Sequence, residues 1–268
     1  FGSTVERAER RIRDAAVSLE EVNLGGRAVG TGFNTMQEFS ATAVRNLAHL
    51  TNLNLRAADD YFRLTQSMSD LTAFSSSLKE LSIDLGKISA DIRLMSSGPA
   101  AGFGEIKLPE LIMQASALLP DAMPKTAVPP MTETLSMVAY QVMGNDQVVA
   151  LAAQSGQLDS NSFMPLIIDN ILTSMSMLEK TVEEFNRHCL SKITANAGHC
   201  KELLDKSGGL IAALASELGY QKALDVVMQA EAEGADVKDV LLNTKILPKQ
   251  TLDKIFHYKF MTTPRSNQ

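Results

Sequence analysis

The stretch LTAFSSSLKELSIDLGKISADIRLM, residues 71–95, sets its apolar residues at Leu71, Phe74, Leu78, Leu81, Leu85, Ile88, Ile92 and Met95. Steps of three and four residues in strict alternation, held for more than three heptads, place these side chains on one face of an α-helix. A half-buried strand would need a period of two, and no such alternation lasts long enough anywhere in the chain to propose a sheet. A second run, Met164, Ile168, Ile171, Met175, Leu178, Val182, Phe185 and Cys189, repeats the helical spacing with Glu, Asp and Lys on the opposite face. A third, less regular helix is predicted from residue 132 to about 153 through Leu135, Val138, Val142 and Val149, with shorter ones over 5–22 and 36–53. A helix of about 27 residues would be about 40 Å long, more than a compact globule of this size needs. The expected fold is therefore all-α, a long up-and-down helical bundle that packs against identical copies.

Composition agrees. Of 268 residues, 45% are hydrophobic and 21% charged, which excludes wholesale disorder. Aromatic content of 5%, no Trp and 13 Met suit helices better than a sandwich or barrel. The net charge is -6, and the 25 Lys and Arg are spread along the chain, so no basic footprint for nucleic acid is present. No window approaches an uninterrupted apolar membrane span, and the first residues show no leader pattern, so neither membrane insertion nor secretion is expected. Two cysteines, Cys189 and Cys200, are too few for a disulfide framework and suit a reducing, cytoplasmic setting. A chain that begins at Phe1 rather than Met is expected to be a processed product or a piece of something longer.

Breaks between helices are compositional: residues 23–35 carry four glycines, 96–109 three glycines and two prolines, and 120–130 four prolines. After Ile193 the helices shorten, with stops at Gly208, Gly209, Gly219, Gly234 and Pro248. A boundary there gives a bundle domain over 1–192 and a small helical C-terminal domain over 193–268. Gly25, Gly26, Gly30 and Gly32 follow a helix and lack a Gly-Lys-Ser/Thr context, so they do not read as a phosphate cradle. The pairs His188-Cys189 and His199-Cys200 lack metal-site spacing, and His49 and His257 have no triad partners nearby in sequence, so all four histidines read as structural.

The loops carry more specific patterns. Leu24-Gly25-Gly26, Ala28-Val29-Gly30-Thr31-Gly32 and Asn34-Thr35 resemble the LGGTAVGTGxNT segment of the aspartase/fumarase superfamily. Arg93-Leu94-Met95-Ser96-Ser97-Gly98-Pro99, Gly102 and Glu105-Ile106-Lys107-Leu108-Pro109-Glu110 resemble its RLLSSGPRAGxxEIxLPE stretch. The register continues through Val142-Met143-Gly144-Asn145-Asp146, Gln157-Leu158, Asn161, Pro165 and Ile193-Thr194-Ala195-Asn196. Similarity is greatest to aspartate ammonia-lyases, through Val22-Asn23-Leu24-Gly25, Leu108-Pro109-Glu110-Leu111 and Leu252-Asp253-Lys254-Ile255-Phe256.

The resemblance corresponds to that superfamily's central helices and small C-terminal domain, so a fragment lacking the N-terminal domain is expected. It implies reversible anti elimination of ammonia from L-aspartate to give fumarate. Alternatives are a class II fumarase-type malate/fumarate hydratase and a catalytically inactive homo-oligomeric helical module. Implied partners are a small dicarboxylate (fumarate, aspartate or malate) and further copies of the chain in a homotetramer whose sites draw on three chains. No metal or organic cofactor is implied.

The C3 proton of such a substrate is very weakly acidic, so the reaction needs an activated base and strong stabilisation of the developing dianion. In the family a loop reading GSSxMPxKxNP supplies a serine base and a Lys and Asn for the substrate carboxylate. Here Met123-Pro124 matches, while Leu119-Pro120-Asp121, Thr126 and Val128 stand at the Gly-Ser-Ser, Lys and Asn positions, and five additional residues separate Glu110 from Met123. The catalytic loop at about 111–130 is thus degenerate. Ser116 is the nearest candidate base and Lys125 the nearest candidate carboxylate ligand. Glu133 matches the glutamate that in the family pairs with a histidine from outside the matched region.

Overall fold

The computed structural model describes residues 1–98, 101–109, 130–205, 209–257 and 262, and eleven α-helices carry the fold among them. One compact unit, Phe1–Thr194, holds α1 (Gly2–Ser18), β1 (Glu21–Val22), α2 (Phe39–Thr51), β2 (Arg56–Ala57), α3 (Tyr61–Gln66), α4 (Ser69–Met95), α5 (Pro130–Gln154) and α6 (Met164–His188). The other, Ala195–Gln268, holds α7 (Ala197–Asp205), α8 (Gly209–Leu218), α9 (Tyr220–Glu233), α10 (Val237–Thr244) and α11 (Lys249–Ile255).

Residues 71–95 lie in α4, the central helix of the bundle. Phe74, Leu78, Leu85, Ile88 and Ile92 are buried as the spacing requires, against Leu135, Val142 and Val149 of α5 and Ile167, Ile171, Leu178 and Phe185 of α6. α5 runs antiparallel to α4: Ser89 Oγ donates to the Thr132 carbonyl at 2.7 Å near one end, and Ser75 Oγ to Asp146 Oδ1 at 2.7 Å near the other. α1 lies along α4, where the Arg11 guanidinium meets Glu80 at 2.6 Å and Asp84 at 3.6 Å.

Two expectations need correction. The helix expected over 5–22 stops at Ser18, and Glu21–Val22 is a strand paired in parallel with Arg56–Ala57. The Arg56 N–H donates to the Glu20 carbonyl at 2.9 Å and the Ala58 N–H to that of Val22 at 3.1 Å. The buried Glu21 carboxylate fastens the pair by accepting from Arg63 at 2.7 Å and from the Asp59 N–H at 3.0 Å. A two-residue strand is too short to leave a periodic signature. The seam of α6 is also rotated: Met164, Met175 and Val182 are exposed, and the buried row is Ile167, Ile171, Ser174, Leu178, Thr181 and Phe185. Ser174 is accommodated inside because its hydroxyl bonds within the bundle, donating to the Asn170 carbonyl at 2.7 Å and accepting from Asn145 at 3.0 Å. A reading by hydrophobicity chose the larger apolar neighbours instead.

Cys189, next after α6, is fully buried, and burial pushes its thiol above the ordinary value, whereas Cys200 is half-buried. The thiolate is the reactive form, so a thiol reagent is expected to modify Cys200 in the native protein and spare Cys189 until denaturant is added. Intact mass should rise by one adduct and then by two. Equal labelling rates in the native state would contradict this burial.

In the second unit Leu210, Leu214, Ala223, Val227, Leu241, Leu252 and Ile255 form a core of their own. Gly234 ends α9 in the left-handed conformation, and Asp236 caps α10 by accepting from the Lys238 N–H at 2.8 Å. Lys238 in turn bonds Asp253 at 2.9 Å, which holds that exposed carboxyl below its ordinary value.

Candidate functional site

The motif residues of the first unit gather at the two ends of α4. At its N-terminal end lies the glycine loop, residues 24–35, fastened from beneath. Asn23 Nδ2 donates to Thr65 Oγ1 at 2.9 Å, and Ser40 Oγ donates to the Leu24 carbonyl at 2.6 Å while bonded to the Tyr61 hydroxyl. The glycines allow this approach. A Cβ at Gly26 would stand 2.8 Å from the Tyr61 ring, and one at Gly30 would stand 2.6 Å from both Cα and N of Phe62. Thr31, itself exposed, bonds locally within the loop, its Oγ1 donating to the Ala28 carbonyl at 2.8 Å and accepting from the Phe33 N–H at 3.2 Å. Arg27, Val29 and Phe33 are left exposed on the outer side.

The ion pairs of Glu21, Arg63 and Asp70 brace this end, with Arg63 bonded to Asp70 at 2.9 Å. That bond, assisted by Glu21, raises the guanidinium further above its ordinary value, so Arg63 keeps its charge throughout. The turn between α5 and α6 joins the same end through the Asn161 N–H, which donates to the Thr65 carbonyl at 3.2 Å.

At the other end, the chain leaving α4 folds back on itself. Ser97 Oγ donates to the Leu94 carbonyl at 2.6 Å and accepts from the Phe103 N–H at 3.0 Å, and the Glu105 N–H donates to the Met95 carbonyl at 2.8 Å. Gly102 is required there, because a Cβ would lie 2.5 Å from the Gly98 nitrogen. Glu133 lies at this end, exposed in the first turn of α5, where its carboxylate faces the positive pole of the helix dipole. Ser116 and Lys125 lie outside the described residues, as do the Met123-Pro124 match and the departures at Leu119-Pro120-Asp121, Thr126 and Val128.

α4 has 27 residues, so its ends are about 40 Å apart. The glycine loop and Glu133 of one chain therefore cannot touch one small substrate together. The structure separates what the motif order lists in a row. Among the described residues no group of three or more His, Cys, Asp or Glu is placed to hold a metal ion. His188 pairs with Glu184 at 3.2 Å and His199 with Glu202 at 3.5 Å, each within its own helix.

Comparison with known proteins agrees with this arrangement. Residues 1–144 match the family described as lyase, and residues 210–263 match the one described as fumarase C C-terminus. The chain belongs to the aspartase/fumarase superfamily. It is 36% identical over 264 residues to the aspartate ammonia-lyase of Bacillus subtilis, covering 98% of this chain and 54% of that protein. It is 35% identical over 254 residues to fumarate hydratase class II 1 of Pseudomonas aeruginosa, covering 95% of this chain and 54% of the relative. Among solved structures, the fumarate lyase:delta crystallin of Brucella melitensis, bound to cobalt, superposes with a TM-score of 0.88 at 34% identity, over 98% of this chain and 56% of the other. The chain thus spans about half the length of the curated relatives it matches.

Sequence reasoning passed over two members of this superfamily frame. In sequence Asn145 and Asp146 are no more than members of a motif, yet both are buried in the bundle with specific partners, Asn145 donating to Ser174 Oγ at 3.0 Å and Asp146 pairing with Lys79 at 2.5 Å. The available signal was two adjacent polar residues inside the apolar run of α5.

Proposed function

We propose that this chain is part of an aspartate ammonia-lyase-type enzyme that eliminates ammonia from L-aspartate to give fumarate in the cytoplasm. The observation that carries the reading is 36% identity to an aspartate ammonia-lyase sustained over 98% of the chain. In the proposed reaction the base removes a C3 proton, that C–H electron pair forms the C2–C3 double bond, and the C2–N bond breaks to release ammonia. Ser116 is proposed as the base, Lys125 as the ligand of the substrate carboxylate, and Glu133 as the partner of a histidine contributed from outside this chain. The distance between the ends of α4 supports a site shared between chains.

The proposed assembly is a homotetramer. The rows Met137, Tyr140 and Leu151 on α5, and Leu172, Met175 and Val182 on α6, are exposed apolar side chains at helical spacing. Buried apolar stripes of that kind are what bundles of identical chains use.

The second reading is fumarase-type hydration, favoured by 35% identity to a class II fumarate hydratase. The third is an inactive oligomerising module, favoured by Thr126 and Val128 where the family pattern has Lys and Asn. One experiment separates the three. The chain is mixed with the N-terminal portion of the Bacillus subtilis aspartate ammonia-lyase that it does not match, and ultraviolet absorbance of fumarate is followed from L-aspartate and from L-malate. Fumarate from L-aspartate, lost in Lys125→Ala, is the expected result. Fumarate from L-malate alone would select the hydratase, and none from either would select the module.

A further inference from the structure

We infer that the Lys79–Asp146 pair sets the register in which α4 and α5 pack, and so fixes the axial distance from the glycine loop to Glu133 of α5. The apolar stripes cannot do this. On α4 they repeat at Phe74, Leu78, Leu81, Leu85, Ile88 and Ile92, and on α5 the buried residues Leu135, Val142 and Val149 recur every seven positions. Sliding one helix past the other by a heptad, about 10 Å, would again set apolar against apolar.

The buried serines do not discriminate either, because Ser75, Ser82 and Ser89 of α4 are themselves a heptad apart and all three are buried. Nor does the α5–α6 contact discriminate fully. Asn145 bonds Ser174, and the residues a heptad away on α6 are Ile167 and Thr181, of which Thr181 still offers a buried hydroxyl.

Asp146 is different. Its side chain is 9% exposed, Oδ1 accepts from Ser75 at 2.7 Å and from Ser76 at 3.4 Å, and Oδ2 meets Lys79 Nζ at 2.5 Å. A slide in one direction would bring Ser82, Ile83 and Gly86 to those three positions, and in the other Met68, Ser69 and Thr72. A hydroxyl survives in both cases and the cation in neither. A carboxylate left in the bundle without its cation is strongly disfavoured, whereas the rows at Leu135, Val142 and Val149 still find apolar partners on α4 after the slide. A single buried polar group that fixes the register of otherwise repetitive helices is a known use of such groups.

The test measures register directly, by electron-paramagnetic distance measurement between spin labels at Leu94→Cys on α4 and Gln147→Cys, exposed on α5. Leu94 is exposed as well. The full chain carries Cys200→Ser, and labelled protein is diluted with unlabelled chain so that distances within one chain dominate. The parent should give one narrow distance. Lys79→Met with Asp146→Leu, which removes both charges, should retain its helical circular dichroism and show a second population displaced axially by about 10 Å. The reversed pair, Lys79→Asp with Asp146→Lys, should restore the single parent distance. A single parent distance in the apolar variant, loss of its helical signal, or a second population in the reversed variant would each overturn the inference.

Discussion

Gly30→Ala is expected to destabilise the first unit by about 2–5 kcal/mol, more than any other single-methyl addition to the glycine loop. Two causes add. The backbone of Gly30 has φ +99, in the left-handed region, where an L side chain costs about 1–2 kcal/mol. The new Cβ would also stand 2.6 Å from Cα and N of Phe62 and 2.8 Å from the Tyr61 carbonyl carbon. These are backbone atoms, so no rotamer change relieves the overlap, and forcing a methyl into such a contact costs about a further 1–3 kcal/mol. α3 is held against a retreat by its ties to other elements: Arg63 pairs with Glu21 at 2.7 Å and Asp70 at 2.9 Å, and the Thr65 carbonyl accepts from the Asn161 N–H at 3.2 Å.

Gly32 supplies the control. It too has positive φ, +67, but the nearest atom to its added Cβ is the Gly25 carbonyl oxygen at 3.7 Å, an ordinary contact. Gly32→Ala should therefore lose only the backbone contribution, about 1–2 kcal/mol. Urea unfolding of the two variants and the parent decides the matter: equal losses at both positions would show that close packing against α3 is not what the loop needs glycine for.

The same loop marks the limit of what the sequence discloses. Its glycines were visible as a motif, but the close approaches at Gly25, Gly26 and Gly30 are to Ser40, Tyr61 and Phe62, 15 to 35 positions downstream. α3 has six residues and β1 two, too short for either apolar rhythm to register. α4 was legible nearly to its ends because one face of it is buried throughout. α6 was legible as a helix and misread in its orientation, since Ser174 and Thr181 occupy core positions and Met175 and Val182 face outward. Where a core is built from small hydroxyls, hydrophobicity ceases to report which side faces in. Of the candidate site, the sequence disclosed the motifs and their order, whereas their separation to opposite ends of α4 required the fold.

Asn161→Ala is expected to cost about 3 kcal/mol, a large effect for a residue in a turn. Asn161 is 8% exposed and its amide does three jobs. Nδ2 donates to the carbonyls of Ala152 and Ala153 at 3.1 and 2.9 Å, closing the C-terminal end of α5, and Oδ1 accepts from the Phe163 N–H at 2.8 Å, opening α6. These are backbone groups that helix geometry leaves without partners, and the turn shields them from water. Alanine would strand the Ala153 carbonyl and the Phe163 N–H at about 1–3 kcal/mol each, while the Ala152 carbonyl keeps the Ser155 N–H at 3.2 Å.

Asn161→Asp tests the assignment of donor and acceptor. It keeps the acceptor for Phe163 and turns an oxygen toward two carbonyl oxygens, so at neutral pH it should be no better than alanine, and it should recover stability as the carboxyl is protonated in acid. The denaturant midpoint should fall in both variants without a change in slope, because the surface exposed on unfolding is unchanged. A loss below about 1 kcal/mol in the alanine variant would mean that the neighbouring Gln157 and Ser160 backbone pair, bonded at 2.9 Å, holds the turn without Asn161. The consequence reaches the glycine loop, since the Asn161 N–H donates to the Thr65 carbonyl and Thr65 Oγ1 accepts from Asn23. Loosening the turn should therefore speed amide hydrogen exchange in residues 23–35 as well as in the turn itself, and leave the Glu133 end of the bundle protected as before.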